Sequence, residues 1–279
     1  YLGNGGYHLY GSQELNPALY IPGASTVGNT QARRRVQGIS TVTGTRTESN
    51  SHYHALQLNA EKRFGGGFSL LANYAWSKKM DNLGSTNPYS RDFAHGLSNE
   101  NVPHIFHFTT VWAIPTPELR GFAGRAFKGW ELTSVTTWRN SFPFGVSSGV
   151  DNTLTGGGGN RADFMGTDLR QVKLSGQSHA QMIQRFFDTS LFAPNAIGTF
   201  GNSGRNIFRG PRFFNTDLGL IKETAVTERV KVQFRAEFFN VFNKPNFSNP
   251  GSTLGSPSFG KITGAGSPRI LQLALKLMF

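Results

Sequence analysis

Apolar and polar residues alternate with period two in seven stretches of this chain, the pattern of strands whose two faces meet different surroundings. The cleanest runs from Arg229 to Asn240. Val230, Val232, Phe234, Ala236 and Phe238 fall on one side, and Lys231, Gln233, Arg235 and Glu237 on the other. Arg269 to Phe279 repeats it, with Leu271, Leu273, Leu275, Leu277 and Phe279 opposed by Gln272, Ala274 and Lys276. Phe68 to Ser77 aligns Phe68, Leu70, Ala72, Tyr74 and Trp76. Weaker versions cover roughly Tyr53–Phe64, Ile105–Ile114, Trp130–Asn140 and Phe213–Lys222. Helical patterning is confined to Ala180–Phe187, which predicts a short surface helix inside a loop.

The connections sort into two kinds. Gly65-Gly66-Gly67 predicts a tight hairpin, Pro115–Gly129 is moderate and Glu223–Glu228 short. Between them lie Lys78–His104, Ser141–Arg212 and Val241–Pro268, long and rich in Gly, Asn, Pro and Ser. Short and long connections alternate strictly, as in an up-and-down membrane barrel with short periplasmic turns and long outer loops. A β-sandwich has no reason to put every long loop at one end. Strand length agrees: eleven residues at ~3.3 Å span about 36 Å, and a tilt of ~40° leaves about 28 Å along the membrane normal. Aromatics gather at strand ends (Phe64, Phe68, Trp76, Trp112, Trp130, Trp138, Phe279), matching a headgroup girdle.

The expected fold is therefore all-β: an antiparallel, up-and-down transmembrane β-barrel segment of about seven to eight strands. With Phe279 ending on the inner side, Tyr53–Phe64 descends to the glycine turn. Tyr1–Tyr10 is then the outer end of an ascending strand, and Arg33–Thr47 an outer loop or its β-extension. Residues 1–52 are thus expected to hold the end of a strand plus an outer loop, and 53–279 seven strands.

Composition narrows the alternatives. The chain has no cysteine, which excludes disulfides, thiolate metal sites and cysteine nucleophiles. Mean hydropathy is −0.33, and no run approaches the ~18 apolar residues of a membrane helix. Aromatics at 13% argue against disorder. The net charge of +12, from 28 Lys and Arg against 16 Asp and Glu, suits any anionic surface and does not single out nucleic acid. The chain opens at Tyr1 without a charged-then-apolar leader, so any targeting signal is expected upstream, in a longer chain.

Several segments resemble one family. Asn202–Leu220 (NSGRNIFRGPRFFNTDLGL), Arg229–Phe247 (RVKVQFRAEFFNVFNKPNF) and Ser267–Phe279 (SPRILQLALKLMF) are similar to the end of TonB-dependent outer-membrane receptors of the Oar-like, Acidobacteria type. Tyr53–Asp81 is also typical of that group, so the resemblance covers nearly the whole chain. It implies a bacterial outer-membrane transporter with a 22-strand barrel, of which this chain supplies about a third. The family's plug, TonB box and extra N-terminal β-domain are expected outside this sequence. The implied work is uptake of a scarce solute, an iron chelate or an oligosaccharide, driven through TonB. The alternative is a structural, adhesive or export barrel without active import, and a weaker one a soluble basic β-protein that binds polyanions. Implied partners are outer-membrane lipid and lipopolysaccharide, TonB through the plug, the barrel-assembly machinery and an unidentified small solute. No cofactor is expected.

Candidate residues follow from these readings. Leu273, Leu275, Leu277 and Phe279 resemble the terminal signal read by the barrel-assembly machinery. Gln57, Asn59, Glu61, Arg63, Lys231, Gln233, Arg235, Glu237, Gln272 and Lys276 are expected to face the lumen, as a hydrogen-bonded, ion-paired inner wall that also stands available to substrate or plug. His52 and His54 share a strand face, but no third ligand accompanies them, and no metal site is expected. Gly156–Gly159 lacks the Lys-Ser/Thr of a phosphate loop and reads as a mobile loop. Arg33-Arg34-Arg35 has no recognition helix or stacking sheet beside it, so it is assigned to lipopolysaccharide rather than nucleic acid. Asp151, Asp163, Asp168 and Asp188 match no calcium-loop spacing. No nucleophile–base pair or paired carboxylates stand out, and no catalysis is expected.

Overall fold

The computed structural model describes residues 1–84 and 86–279. Eight long strands dominate: β1 (Leu2–Glu14), β2 (Thr43–Gly65), β3 (Phe68–Asp81), β4 (His104–Ala113), β5 (Trp130–Arg139), β6 (Phe213–Ala225), β7 (Lys231–Phe239) and β8 (Ile270–Met278). They form one antiparallel sheet in strict chain order, with the short strand Gly96–Leu97 added beside β3. The sheet is not closed: β1 and β8 are its edges. All seven alternating stretches are strands, and the connections alternate in length around the sheet as the sequence predicts.

Two boundaries differ from the pattern. β2 begins at Thr43, ahead of the expected start near Tyr53, because its opening segment TGTRTESNSH has no apolar alternation to reveal it. β2 pairs with β1 from Leu2↔Ala55 up to Glu14↔Thr43, while β3 reaches only to Ser51↔Asp81. The β1–β2 pair therefore projects past the rest of the sheet at the long-loop rim. At the opposite rim, Gly65 pairs with Phe68, so the β2–β3 turn has two residues rather than three. Gly66 and Gly67 hold φ of +62° and +80°, the geometry of a type I′ hairpin that glycine adopts without strain.

Among the described residues, two short α-helices interrupt the loops. α1 (Gly121–Phe127) lies in the β4–β5 connection and α2 (His179–Gln184) in the long β5–β6 loop. α2 overlaps the expected segment, starting one residue earlier and ending three short of Phe187, and a reciprocal Ser178–Gln181 capping box starts it. α1 was not signalled: GFAGRAF carries two glycines and fewer than two turns of pattern.

The buried core sits at the rim, not in the sheet. Among the described residues, the buried apolar side chains of the long strands are Ala55 and Ala236. The main cluster is Phe144, Val146, Ala162, Val172, Phe187 and Phe192, all from the β5–β6 loop, with Leu254 and Phe259 of the β7–β8 loop packed against it. The long loops thus build an ordered cap.

Candidate functional site

Strand pairing assigns every long-strand residue to one of two faces, because directly paired residues point the same way. One face carries Leu56, Leu58, Phe68, Leu70, Tyr74, Trp76, Phe106, Phe108, Leu132, Leu218, Phe234 and Leu271 to Leu277 in alternation. Its side chains stand open, Leu275 being 75% exposed. Hydroxyls on this face pair with one another: Thr110 with Ser134 at 2.8 Å and Thr136 with Thr216 at 3.0 Å. Pairing satisfies groups that hydrocarbon would otherwise penalise.

Aromatic rows bound this apolar face. Near the cap, Trp76 is paired with His104, whose imidazole meets the Tyr74 hydroxyl at 2.7 Å and stacks on Trp76. Near the short turns, Phe68 is paired with Trp112, and Trp130 with Lys222. The eight steps from Phe68 to Trp76 cover roughly 27 Å along the strand, or about 20 Å at a tilt of ~40°. Lys62 and Lys222 lie over the Phe68 and Trp130 rings at 4.9 and 5.1 Å, cations at headgroup height.

The other face is polar. Gln57, Asn59, Glu61, Arg63, Lys231, Gln233, Arg235, Glu237, Gln272 and Lys276 all lie on it, with Gln233 paired to Lys276 and Glu237 to Gln272. A row of polar contacts crosses several strands: Asn59 Nδ2 donates to Asn73 Oδ1 at 2.8 Å, His107 meets Thr137 Oγ1 at 3.1 Å, and Asn215 Nδ2 donates to Asp217 Oδ1 at 2.8 Å. Arg235 Nε donates to Gln233 Oε1 at 2.7 Å, and Lys231 Nζ to Glu223 at 2.8 Å.

At the cap end of the polar face lies an open hollow of about 480 Å³ lined by Ser51, Tyr53, Ser77, Lys79, Glu100 and Ile105 among others. The loop after β3 folds back over this face, where the Ser77 hydroxyl donates to the Val102 carbonyl at 3.0 Å and Lys79 pairs with Glu100. The hollow is mixed in character, with a charged pair at its edge and a phenol in its wall.

Half-buried arginines seat the cap, and sequence reasoning gave them no role. Arg205 pairs with Asp81, which is 2% exposed at the end of β3, and donates to the Ala94 carbonyl at 3.0 Å. Asn206 Nδ2 donates to Leu97 O and Asn99 Oδ1, each at 2.7 Å. Arg209 donates to Asn101 O at 3.0 Å and Ser141 O at 3.2 Å. The motif GRNIFRG thereby ties the longest loop to its neighbour across the rim. The visible signal was the motif itself, singled out only for its resemblance. Arg161 stacks on Phe93 at 3.8 Å, and burial, with Arg205 nearby, pulls its pKa down to about 10. It remains a cation at neutral pH.

Two sequence expectations change. Arg34 of the triple-arginine run is buried, pairing with Glu14 at 3.8 Å and donating to the carbonyls of Asn16 and Gly156. Arg33 donates to Leu154 O at 2.8 Å, so Arg35 alone of the three turns fully outward. The packed loops turn Arg33 and Arg34 onto their own carbonyls. Gly156–Gly159 is tied down at its first residue, where Gly156 N donates to Asp151 Oδ2 at 2.9 Å and a Cβ would strike Arg34, while Gly157, Gly158 and Gly159 stay exposed. His52 and His54 keep their shared face, paired to Met80 and Lys78, and each meets a tyrosine of β1: His54 bonds the Tyr1 hydroxyl at 2.6 Å and His52 meets the Tyr7 ring edge-on. Among the described residues, no group of three metal-ligating side chains is found and no helix is long and apolar enough to cross a membrane.

A family model described as an outer membrane beta barrel domain matches residues 1–272. No curated protein matches. Among solved structures, P. aeruginosa FpvA, determined with heterologous pyoverdine and iron, is similar at 10% identity and a TM-score of 0.43, over 94% of this chain and 23% of that one. The outer membrane transporter YddB from Escherichia coli is similar at 8% identity and a TM-score of 0.41, over 99% and 29% respectively. This chain thus spans about a quarter of the length of the solved chains it matches.

Proposed function

Because the chain belongs to the outer membrane β-barrel domain family, we propose that it supplies wall and outer loops of a TonB-dependent transporter. The protein lies in the bacterial outer membrane, its strands an up-and-down transmembrane segment. The transporter takes up a scarce solute, an iron chelate or an oligosaccharide, with energy delivered through TonB. Its apolar face meets lipid and its polar face the lumen. The ten polar residues from Gln57 to Lys276 line that lumen, and Leu273, Leu275, Leu277 and Phe279 act as the assembly signal. The role is carriage, without chemistry on the solute.

The observation that carries this reading is the hollow on the polar face directly beneath an ordered, arginine-clamped cap. A loop ring that served only as a spacer would not need buried ion pairs to hold its shape. The similarity of Asn202–Leu220, Arg229–Phe247 and Ser267–Phe279 to Oar-like receptors supports the TonB-dependent class.

The test is uptake in the producing cell. Growth is followed on a panel of ferric chelates and oligosaccharides, each as sole source, in wild type, a strain lacking this protein, and a TonB-null strain. Deletion should abolish growth on one class of solute, and loss of TonB should reproduce that defect. Uptake that persists without TonB would favour a barrel without active import. Replacing both Lys79 and Glu100 with Ala should weaken solute binding at unchanged outer-membrane levels.

A further inference from the structure

The short connections of this sheet are bare turns except one, the β4–β5 connection, which carries α1. At 100° per residue, Phe122, Ala126, Ala123 and Phe127 occupy an arc of roughly 140° on that helix. All four are accessible, Phe122 being 88% exposed and Phe127 59%. Gly124 faces inward, where any Cβ would meet the Leu119 carbonyl. Arg120, Arg125 and Lys128 flank the apolar arc, against the single acid Glu118. In water this is an unfavourable surface.

The attachment of α1 says what covers it. The Trp130 indole N–H donates to the Ala126 carbonyl at 2.9 Å, and Lys222 Nζ donates to the Arg125 and Lys128 carbonyls at 2.9 and 2.8 Å. Trp130 and Lys222 are paired neighbours on the apolar face of the sheet. Both spend their polar atoms on the last turn of α1, where unpaired carbonyls favour a cation. The helix is therefore hung on the lipid side of the wall, level with the aromatic row nearest the short turns. Its surface is continuous with the membrane-facing belt.

We propose that α1 is an interfacial anchor that seats on the inner leaflet of the outer membrane. Phe122 and Phe127 sink to the headgroup–acyl boundary, and Arg120, Arg125 and Lys128 bind anionic phospholipid phosphates. This rests on the membrane reading of the apolar face and adds a lipid partner at one point on the inner rim. The anchor fixes the height of the wall on the periplasmic side, where the other turns are too short to reach lipid.

These 279 residues contain no cysteine, which makes a direct test simple. Single-cysteine variants Ala123→Cys in α1, Leu273→Cys on the apolar face and Glu228→Cys in the β6–β7 turn are spin-labelled in the intact protein. Each is reconstituted in vesicles of phosphatidylethanolamine with one quarter phosphatidylglycerol, and in pure phosphatidylcholine. Accessibility to oxygen and to a water-soluble nickel chelate gives depth. The label at position 123 should read deeper than that at 228 and shallower than that at 273, and should rise toward water in phosphatidylcholine or when Arg120 and Arg125 are both changed to Glu. A label at 123 as accessible to nickel as that at 228, with 273 in lipid, overturns the anchor alone. Shielding of 123 from both reagents would mean a protein contact, and equal depth in both vesicles would remove the phosphate-binding role; each counts against the proposal. A label at 273 that reads as water overturns the membrane reading itself.

Discussion

The sheet and the cap of this protein bury opposite things. In the sheet, large apolar side chains such as Leu271, Leu273, Leu275 and Leu277 stand outward on one face and polar ones on the other, with almost nothing enclosed between. In the cap, Phe144, Phe187, Phe192 and Phe208 turn inward onto one another, and Phe187 is 3% exposed. The sheet obeys the rule for a wall between lipid and water, and the cap the rule for a protein in water. One chain meets two solvents, and the boundary runs through the row of Trp76, His104 and Trp138. Cations divide the same way. In the cap, Arg34, Arg161, Arg205 and Arg209 are engaged with carbonyls, rings and carboxylates. The net charge of +12 therefore overstates what an external polyanion would meet.

That contrast can be broken most sharply in the cap. Phe187→Ala removes a ring that meets Phe144, Phe192, Phe208 and Phe259 within 6.0 Å, centroid to centroid. It should cost the cap about 3–5 kcal/mol. Limited proteolysis should then open the 140–212 segment, while membrane extraction and heat-modifiable migration stay as in wild type. If barrel assembly fails equally, cap and sheet fold as one unit and the contrast is only chemical.

The sheet comes next. Arg in place of Leu273 should cost about 2–4 kcal/mol, because it puts a charge on the lipid face. Arg in place of the neighbouring Gln272 should change little. Outer-membrane levels of the two variants measure the difference, and equal levels would refute the assignment of faces.

The smallest effect separates adjacent arginines. Arg34→Ala strands Glu14 and two carbonyls and should loosen the 15–42 loop by about 1–3 kcal/mol, read by hydrogen exchange in that loop. Arg35→Ala, at the exposed neighbour, should stay within about 0.5 kcal/mol. A reversed order would restore the whole arginine run to an outward-facing role.

Much of this fold was legible along the chain. A strand shows its two faces to the sequence with period two, so the faces of Arg229–Asn240 and Arg269–Phe279 could be read residue by residue. Loop lengths are equally local, and their alternation put every long connection at one rim. What the pattern missed had no alternation to offer: the polar opening of β2 from Thr43, and α1 with its two glycines. The cap was legible only as composition. Rich in Gly, Asn and Ser, it looked free, yet Asn16 draws the ends of the 15–42 loop together by donating to Val36 O and Ile39 O at 3.0 Å.

The sequence by itself determined where the seven alternating strands lie, which face each of their residues takes, and which rim carries the loops. These follow from backbone geometry acting between near neighbours. Tertiary structure alone decided the rest. Arg205 finds Asp81 from 124 positions away, Arg34 turns from solvent to Gly156 across 122, and Lys222 reaches back to hold the end of α1 across 94. A buried cation needs a partner, and which partner it meets depends on how loops of unlike length fold over one rim. No local pattern records that.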